Sequence, residues 1–277
     1  MERIRRGWSL TKQSWAVLRS DRSLAAFPVL GGLATILLAA AFGLPSALLF
    51  QDDSNVLGTI LAAVGIYLVT FAGVFFNVAL AGAAAQVLDG RDATVASGVA
   101  VARRNLGAVS GWAAMVASVN IIIRALAERA GPVGDMLLGG LAVAWGLVTF
   151  LAVPVIAIEG TGPIATLKRS AGIFRDRWGE QVTGQFSIGA VVMLATVLPV
   201  VVLAGIGAAI GSTAVLVACI VLAAIVILIG AVIGTALSQI FAVALYRFAV
   251  GEGSTGVFSE ADLAGAVAPK GGSAGTI

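Results

Sequence analysis

Histidine is absent from the 277 residues of this chain, cysteine occurs once and charged residues are scarce. Without histidine, the sequence lacks the commonest general base, the commonest metal ligand and the usual activator of a serine nucleophile. The single cysteine, Cys219, lies within an apolar run, so neither an intramolecular disulfide nor a thiolate metal cluster is expected. The composition therefore argues against an enzyme, and it implies no cofactor and no metal.

Charged side chains make up 11% of the sequence and hydrophobic ones 59%, with a mean hydropathy of +1.04. Soluble domains average about 25% charged and about 45 to 50% apolar residues. The sequence is therefore typical of an integral membrane protein. The net charge is +3, but the basic residues are scattered between apolar runs, which disfavours nucleic acid as a partner.

Six apolar runs are long enough to cross a bilayer, which requires about 20 helical residues. They predict an all-α polytopic membrane protein with six transmembrane helices in a single transmembrane domain, residues 1–252. The spans are predicted at about 24–50, 56–88, 107–127, 136–158, 182–210 and 213–250. Pro154 is expected to kink the fourth span, and residues 253–277 are expected to form a mostly flexible cytoplasmic tail.

The basic residues are strongly biased to one side of these spans. When both termini are placed in the cytoplasm, all of the 17 basic residues except Arg124 and Arg129 fall on the inner side. By the positive-inside rule, this distribution predicts a multi-pass protein of the bacterial cytoplasmic (inner) membrane with both termini cytoplasmic. The outer loops are short or acidic, as in QDDSN at 51–55, and form no extracellular domain for a large partner.

Three basic segments share a pattern when Arg19, Arg103 and Arg175 are aligned. The residues eight, four and one positions before each arginine are spaced so that they lie on one face of a helix. These positions hold Thr11, Trp15 and Leu18, then Val95, Val99 and Ala102, then Leu167, Ala171 and Phe174. Each segment precedes two spans, which predicts three repeats of an interfacial amphipathic helix plus a transmembrane hairpin. The interfacial helices are expected at about 3–20, 93–106 and 163–178; the alternative is coincidence, because basic helical loops are common in polytopic proteins.

The ends of the repeated units carry further signals. Each second span is followed by an acid and a glycine, at Asp89 and Gly90, Glu159 and Gly160, and Glu252 and Gly253. A glycine at this position predicts a helix C-cap. In the first segment, Leu10 and Val17 project away from the tryptophan face. One face of that helix is therefore expected to meet lipid and another the bundle.

Two stretches carry a resemblance to a known family. Trp8 is followed by KQSWAVLRSDRSLAAFP at 12–28, and ALYRFA stands far downstream at 244–249. With these residues the chain resembles an uncharacterised bacterial and archaeal family of six-span membrane proteins that begin with a tryptophan-rich basic helix. It is also distantly similar to the membrane domains associated with some glycerophosphodiester phosphodiesterases. The resemblance implies an integral membrane protein and no established activity.

Polar side chains within spans are costly in hydrocarbon and are therefore the default functional candidates. Here the candidates are Asn77, Asn120, Arg124 and Gln239. Asn120 and Arg124 are four residues apart and share a helix face. They either line a polar cavity that opens outward or have a structural role, in which Arg124 reaches the headgroups and Asn120 forms a hydrogen bond with a neighbouring helix. The six span interiors contain no Asp, Glu or His, which disfavours coupled ion transport.

Two GxxxG spacings occur in the last two spans, from Gly207 to Gly211 and from Gly230 to Gly234. Such spacings allow close approach of helix backbones. They indicate either close packing of that hairpin on itself or docking against another membrane protein or a second copy.

These patterns favour a non-enzymatic membrane protein that acts by contact, either with lipids or as an organiser or subunit of a membrane complex. Its partners are expected to be anionic lipid headgroups on the cytoplasmic side. The candidate lipid contacts are Arg5, Arg6, Lys12, Arg19, Arg103, Arg104, Lys168, Arg169, Arg175 and Arg177. The alternative is a transporter or permease subunit with a pathway among the three hairpins. An enzyme would require Glu159, Asp176 and Glu180 to converge on one cleft.

Overall fold

A computed structural model describes residues 2–49, 56–129, 132–178, 184–210 and 212–252, together with Phe258 and Leu263. Throughout this part of the chain the secondary structure is helical, with no strand. Six helical segments are long and apolar enough to span a membrane. The predicted all-α, six-span membrane protein is therefore confirmed.

The helices follow one another as three units, each a shorter helix followed by a hairpin. The first unit contains α1 (Glu2–Ser20), a short 3-10 turn (Arg22–Ala25), α2 (Ala26–Leu49) and α3 (Val56–Leu88). The second contains α4 (Val95–Arg104), α5 (Leu106–Ala127), α6 (Pro132–Thr149) and α7 (Ala152–Glu159). The third contains α8 (Pro163–Trp178), α9 (Gly184–Ile210) and α10 (Thr213–Val250). This order matches the three predicted units of helix plus hairpin.

The fourth span differs from the single kinked helix predicted at 136–158. It consists of two helices, α6 and α7, separated at Phe150 and Leu151. Pro154, in the first turn of α7, has no N–H to donate to the carbonyl of Phe150 four residues earlier, so the helical ladder is interrupted there. Beside the break, the hydroxyl of Ser170 in α8 donates a hydrogen bond to the carbonyl of Val148.

The buried core lies at one end of the bundle. We call this the basic end; it contains the start of α2, the last turns of α3, α7 and α10, and the helices α1, α4 and α8. Most of the core comes from residues 78–85 of α3, Leu151 with residues 152–156 of α7, and residues 236–249 of α10, and Phe258 and Leu263 are also buried in it. The rest of the segment predicted as a flexible tail lies outside the described residues.

Toward the opposite end, the hairpins expose large apolar side chains. Leu37 of α2, Leu198 of α9 and Leu228 of α10 are each more than half exposed. An apolar surface of this extent is unfavourable in water, whereas in a bilayer it faces hydrocarbon. The structure is therefore tightly packed at the basic end and consists mainly of lipid-facing hairpins at the other.

Glycine allows the two helices of the first hairpin to approach closely. A Cβ atom added to Gly31 would lie 2.9 Å from Cβ of Phe76, and one added to Gly65 would lie 2.6 Å from Cβ of Phe42. Each phenylalanine thus packs directly on glycine of the neighbouring helix. The pairing of α2 with α3 consequently depends on residues without side chains at these positions.

The third hairpin uses its glycines in the same way. Gly230 packs against Thr196, and a Cβ atom at Gly234 would lie 2.9 Å from Val192. Gly207 lies against Leu216 and Cys219. These glycines therefore serve packing between α9 and α10, while Gly211 lies outside the described residues and self-association stays a prediction.

The glycines at the helix ends adopt left-handed backbone conformations. Gly90 and Gly160 have φ angles of 72° and 66°, as predicted for caps after α3 and α7. The expectation for α10 was wrong: the C-cap is Gly251, with φ of 87°, rather than Gly253. The N–H of Glu252 donates to the Arg247 carbonyl, so the acid follows the capping glycine here instead of preceding it.

Replacing Gly98 by alanine should destabilise the protein, although alanine is the better helix former. Its Cβ atom would lie 2.6 Å from the Ala79 carbonyl oxygen and against the ring of Phe27. We expect a loss of about 1–3 kcal/mol from overpacking, measured by thermal unfolding of the purified protein in detergent.

The matched control is Gly172→Ala, because a Cβ at Gly172 in the short helix α8 meets nothing within 4 Å. This variant should be as stable as the wild type or more stable, by up to about 1 kcal/mol. Equal stabilisation by both substitutions would contradict the close packing of α4 against α2 and α3.

Candidate functional site

The first helix of each unit, α1, α4 or α8, buries equivalent positions against the bundle. We call these three the short helices. Five residues before the aligned arginine a small residue is buried, and two residues before it a β-branched residue is buried. These pairs are Ser14 and Val17, Gly98 and Val101, and Ser170 and Ile173. The equivalence of the three segments therefore extends to their packing.

The buried face of α1 is the one that carries Leu10 and Val17, away from the tryptophan face. Both of these residues are buried, whereas Trp15 is 44% exposed. A small residue lets a helix approach the bundle closely, whereas a tryptophan would hold it away, so the face with serine or glycine turns inward. The serine shared by the first and third segments lies on this inward face.

The outward face of α1 combines aromatic and basic side chains. Trp8, Lys12, Trp15 and Arg19 are exposed and recur at helical spacing. The ammonium group of Lys12 lies 5.6 Å from the ring centre of Trp8, within the range of a cation–π contact. This face is thus distinct from the one that packs on the bundle.

Most of the predicted lipid-contacting side chains that the structure describes are exposed at the basic end. Besides Lys12 and Arg19, these are Arg103, Arg104, Lys168 and Arg175. The side chains of Arg5, Arg6 and Arg177 lie outside the described residues. Arg19, Arg103 and Lys168, one from each short helix, form no ion pair with any carboxylate in the described part of the chain.

Arg169 is already engaged within the protein. Its Nε atom donates to Oε1 of Glu159 at 2.8 Å, and the hydroxyl of Tyr246 donates to the same oxygen at 2.5 Å. The hydrogen bond to Glu159 is the main reason that the pKa of Arg169 is raised above its ordinary value. Arg169 therefore joins the end of α7 to α8 while about half of its side chain stays exposed.

Arg247 binds a second acid. Its side chain is only 9% exposed, and Nη1 donates to Oδ1 of Asp89 at 2.5 Å. Nε of Arg247 lies 3.7 Å from Glu252, and Arg91 donates to the other oxygen of Asp89 at 2.7 Å. The hydrogen bond from Arg247 is the largest influence holding the pKa of Asp89 below its ordinary value, with Arg91 acting in the same direction and partial burial opposing both.

The neighbours Tyr246 and Arg247 therefore join the last turn of α10 to the two other hairpins. We call Asp89, Glu159, Tyr246 and Arg247 the clasp. The sequence analysis recognised Asp89 and Glu159 only as acids at helix ends and did not predict their partners. The signal available for these contacts was the repeated acid at the end of each second span, together with the adjacent Tyr246 and Arg247 near the end of the last span.

These contacts do not test whether Glu159, Asp176 and Glu180 converge on one cleft, as an enzyme would require. Glu159 is occupied by Arg169 and Tyr246. The side chain of Asp176 and the whole of Glu180 lie outside the described residues.

Two further polar contacts between helices were missed by the sequence analysis. The amide of Asn105 donates to the carbonyl of Ile156 at 3.0 Å, which satisfies a backbone group at the end of α7. The hydroxyls of Tyr67 in α3 and Ser110 in α5 lie 2.8 Å apart. Hydroxyl groups of tyrosine and serine give no periodic signal in an apolar run, so the sequence does not indicate which of them meet.

The predicted intramembrane candidates do not converge. The amide of Asn77 donates to the carbonyl of Gly73 in its own helix at 2.8 Å. Asn120 and Arg124 are exposed on α5, and Oε1 of Gln239 is buried without a hydrogen-bond partner among the described residues. These four residues therefore form no common site.

A cavity of about 250 Å³ lies between the first and third hairpins. Its walls come from α2, α3 and α10, and Asn77 is the member of the predicted polar set that reaches it. The lining is mostly apolar, with threonine and asparagine supplying its polar groups.

Replacing Asp89 by asparagine should destabilise the protein by leaving the buried Arg247 guanidinium without its carboxylate. Because Asp89 is about one-third exposed, we expect a loss of about 1–2 kcal/mol rather than the larger cost of a fully buried pair. Unfolding in mixed micelles would measure the difference. Asp92→Asn, at an exposed acid in the same loop, should leave stability unchanged.

The difference between wild type and Asp89→Asn should also depend on pH. Because the folded-state pKa of Asp89 is lowered, its stabilisation is complete above about pH 4 and is lost as pH falls through the folded-state value. The two proteins should therefore converge in stability in strong acid. A difference that persists unchanged in strong acid would contradict the assignment.

Comparison with known proteins gives a single finding. A family of unknown function, DUF6159, matches residues 56–257, a range that includes ALYRFA and the clasp but begins after the N-terminal motif. No curated protein and no solved structure matches the chain, so the distant likeness to glycerophosphodiester phosphodiesterase membrane domains gains no support. With its matched range covering most of the sequence, the chain belongs to the DUF6159 family of unknown function.

Proposed function

We propose that this protein is a non-enzymatic component of the bacterial cytoplasmic membrane that binds anionic lipid headgroups at its basic end. The observation that carries the proposal is the exposure of one basic side chain on each short helix that forms no ion pair with a described residue: Arg19, Arg103 and Lys168. Each helix uses its opposite face to pack on the bundle. The basic groups are therefore held in fixed positions around one end of a membrane-spanning core.

The aromatic groups support a position for α1 at the membrane surface. Trp8 and Trp15 are exposed beside Lys12 and Arg19. Tryptophan favours the headgroup region, because its ring is apolar and its N–H is polar, and basic side chains extend their stems along apolar surface. Contact with lipid is thus the role that this surface fits.

The arrangement favours lipid contact over transport. A transport pathway needs polar side chains gathered around a cavity, but Asn120 and Arg124 are exposed on α5 and do not line the cavity that Asn77 reaches. The basic side chains, by contrast, occur on all three short helices at one end.

The lipid preference can be tested by combining Arg19→Gln, Arg103→Gln and Lys168→Gln in one chain. In mixed phosphatidylcholine and phosphatidylglycerol bilayers, spin-labelled lipids would measure the selectivity for the anionic lipid. Each charge contributes about 1 kcal/mol near the surface, so selectivity at each site should fall about five-fold. The control removes Arg124 and Arg129, which are exposed at the opposite end, and should keep the wild-type selectivity; the same selectivity in the triple variant would refute the proposal.

The proposed orientation leads to a separate labelling test. Cys219 is replaced by alanine, and a single cysteine is introduced at Asp92 or at Ser212, both exposed. If the basic end is cytoplasmic, a membrane-impermeant maleimide should label Ser212→Cys in intact cells and Asp92→Cys only after permeabilisation. The reverse pattern would invert the proposed topology.

A further inference from the structure

The cavity between the first and third hairpins is an open groove within the spans. Gly32 and Thr35 of α2, Gly73 and Asn77 of α3, and Ala231 and Thr235 of α10 lie along it. It begins where the closed core ends, because residues 78–85 of α3 are buried whereas 73–77 are only partly buried. All three helices are candidate spans, so the medium around the groove is lipid hydrocarbon rather than water.

Two of the three polar side chains that line the groove form hydrogen bonds within their own helices. The hydroxyl of Thr35 donates to the Gly32 carbonyl at 2.8 Å, and the amide of Asn77 donates to the Gly73 carbonyl at 2.8 Å. These bonds reduce the need for a water molecule or a polar ligand. The occupant that suits such walls is an apolar chain.

Two glycines keep the groove open without serving helix packing. A Cβ atom added to Gly32 or Gly73 meets nothing within 4 Å, unlike one added to Gly31, which meets Phe76. Glycine within a helix costs roughly 0.5–1 kcal/mol relative to alanine. At these two positions the missing side chains leave a space that α2, α3 and α10 do not fill.

A basic side chain lies beside the basic-end limit of the groove. Arg22 is exposed in the 3-10 turn that leads into α2, about 10 Å along the axis from Pro28, which lines the groove. The turn is fixed to the loop before α4, since the Asp21 carboxylate accepts from the Ala93 N–H and the Ser23 hydroxyl donates to the Ala93 carbonyl. Arg22 forms no ion pair within the described residues, which leaves its charge available to an anion at the headgroup level.

We propose that the groove holds one acyl chain of an anionic phospholipid from the surrounding membrane, with the phosphate of that lipid at Arg22. The proposal deepens the proposed function and rests on it, because it assigns one lipid of the same class to a defined site. An acyl chain fits a narrow apolar space, and a phosphate is the anion that lies at the edge of the hydrocarbon, where Arg22 is placed.

Native mass spectrometry of the full chain, taken from bilayers of phosphatidylglycerol and phosphatidylcholine, tests the proposal. We expect one phospholipid to stay bound to the wild type after detergent removes the others. Gly32→Leu and Gly73→Leu should reduce the lipid-bound fraction at least about ten-fold, because leucine places apolar atoms in the space that the missing side chains leave open. Gly43→Leu is the matched control, since Gly43 also lies on α2 with nothing within 4 Å and should keep the lipid.

Thermal unfolding of the same variants confirms that loss of lipid is not loss of fold. Arg22→Gln should retain the lipid but lose about five-fold in its preference for phosphatidylglycerol. The proposal is overturned if the wild type retains no lipid, if a second copy of the chain is retained in its place, if both leucine variants bind lipid as the wild type does, or if Arg22→Gln keeps the full preference.

Failure here is distinguishable from failure of the proposed function. The triple variant at Arg19, Arg103 and Lys168 leaves the groove intact, so it should keep the single bound lipid while losing surface selectivity. The leucine variants should show the opposite pattern. If only the two leucine variants lose the bound lipid, and the triple variant keeps the wild-type surface selectivity, the result would support the lipid site in the groove and refute the wider lipid-contact function.

Discussion

A nearly buried guanidinium dictates how the basic end is assembled. Arg247 cannot be left without a carboxylate, because an unpaired charge in a region of low dielectric is far costlier than a paired one. Asp89 provides that carboxylate from the first hairpin, and the adjacent Tyr246 binds Glu159 from the second. One helix turn of the third hairpin therefore fixes the positions of the other two, and the core and the surface helices α4 and α8 are built around this point.

Away from the clasp, a different principle governs the structure. The first and third hairpins pair through glycines that contact phenylalanine, threonine or valine of the neighbouring helix, and the outer surfaces of the hairpins are apolar. In hydrocarbon no hydrophobic force draws such surfaces together, so helices associate where their shapes fit. This explains how a groove persists between two hairpins that are joined firmly at only one end. Such a combination of rigid base and separate hairpins suits contact with lipid at both the surface and the interior.

Much of this architecture could be predicted, because bilayer thickness fixes the length of apolar runs. The second and sixth spans have the same bounds in sequence and structure, and the three aligned arginines identify equivalent helices. The sequence separates Leu10 and Val17 of the first segment from its tryptophan face, and both are buried in the structure. It did not indicate which face of α4 or α8 packs on the bundle, where the small residues Gly98 and Ser170 turn inward. The clasp was beyond local pattern, because its partners are 87 and 158 residues apart. The groove exists because Gly32 and Gly73 have no side chains to fill it. A glycine in the sequence does not show whether the space beside it is empty or occupied by a neighbouring helix.

The long separation within the clasp has a consequence for biosynthesis. A ribosome adding about 5–20 residues per second delivers Arg247 roughly 8–30 s after Asp89, so the acid reaches the membrane well before its distant partner. Each acid of the clasp also has a basic neighbour nearby in the chain, Arg91 for Asp89 and Arg169 for Glu159. These neighbours neutralise the carboxylates while translation continues. Arrival of the final helix then adds Arg247 and Tyr246 to acids that already have a basic neighbour in the chain.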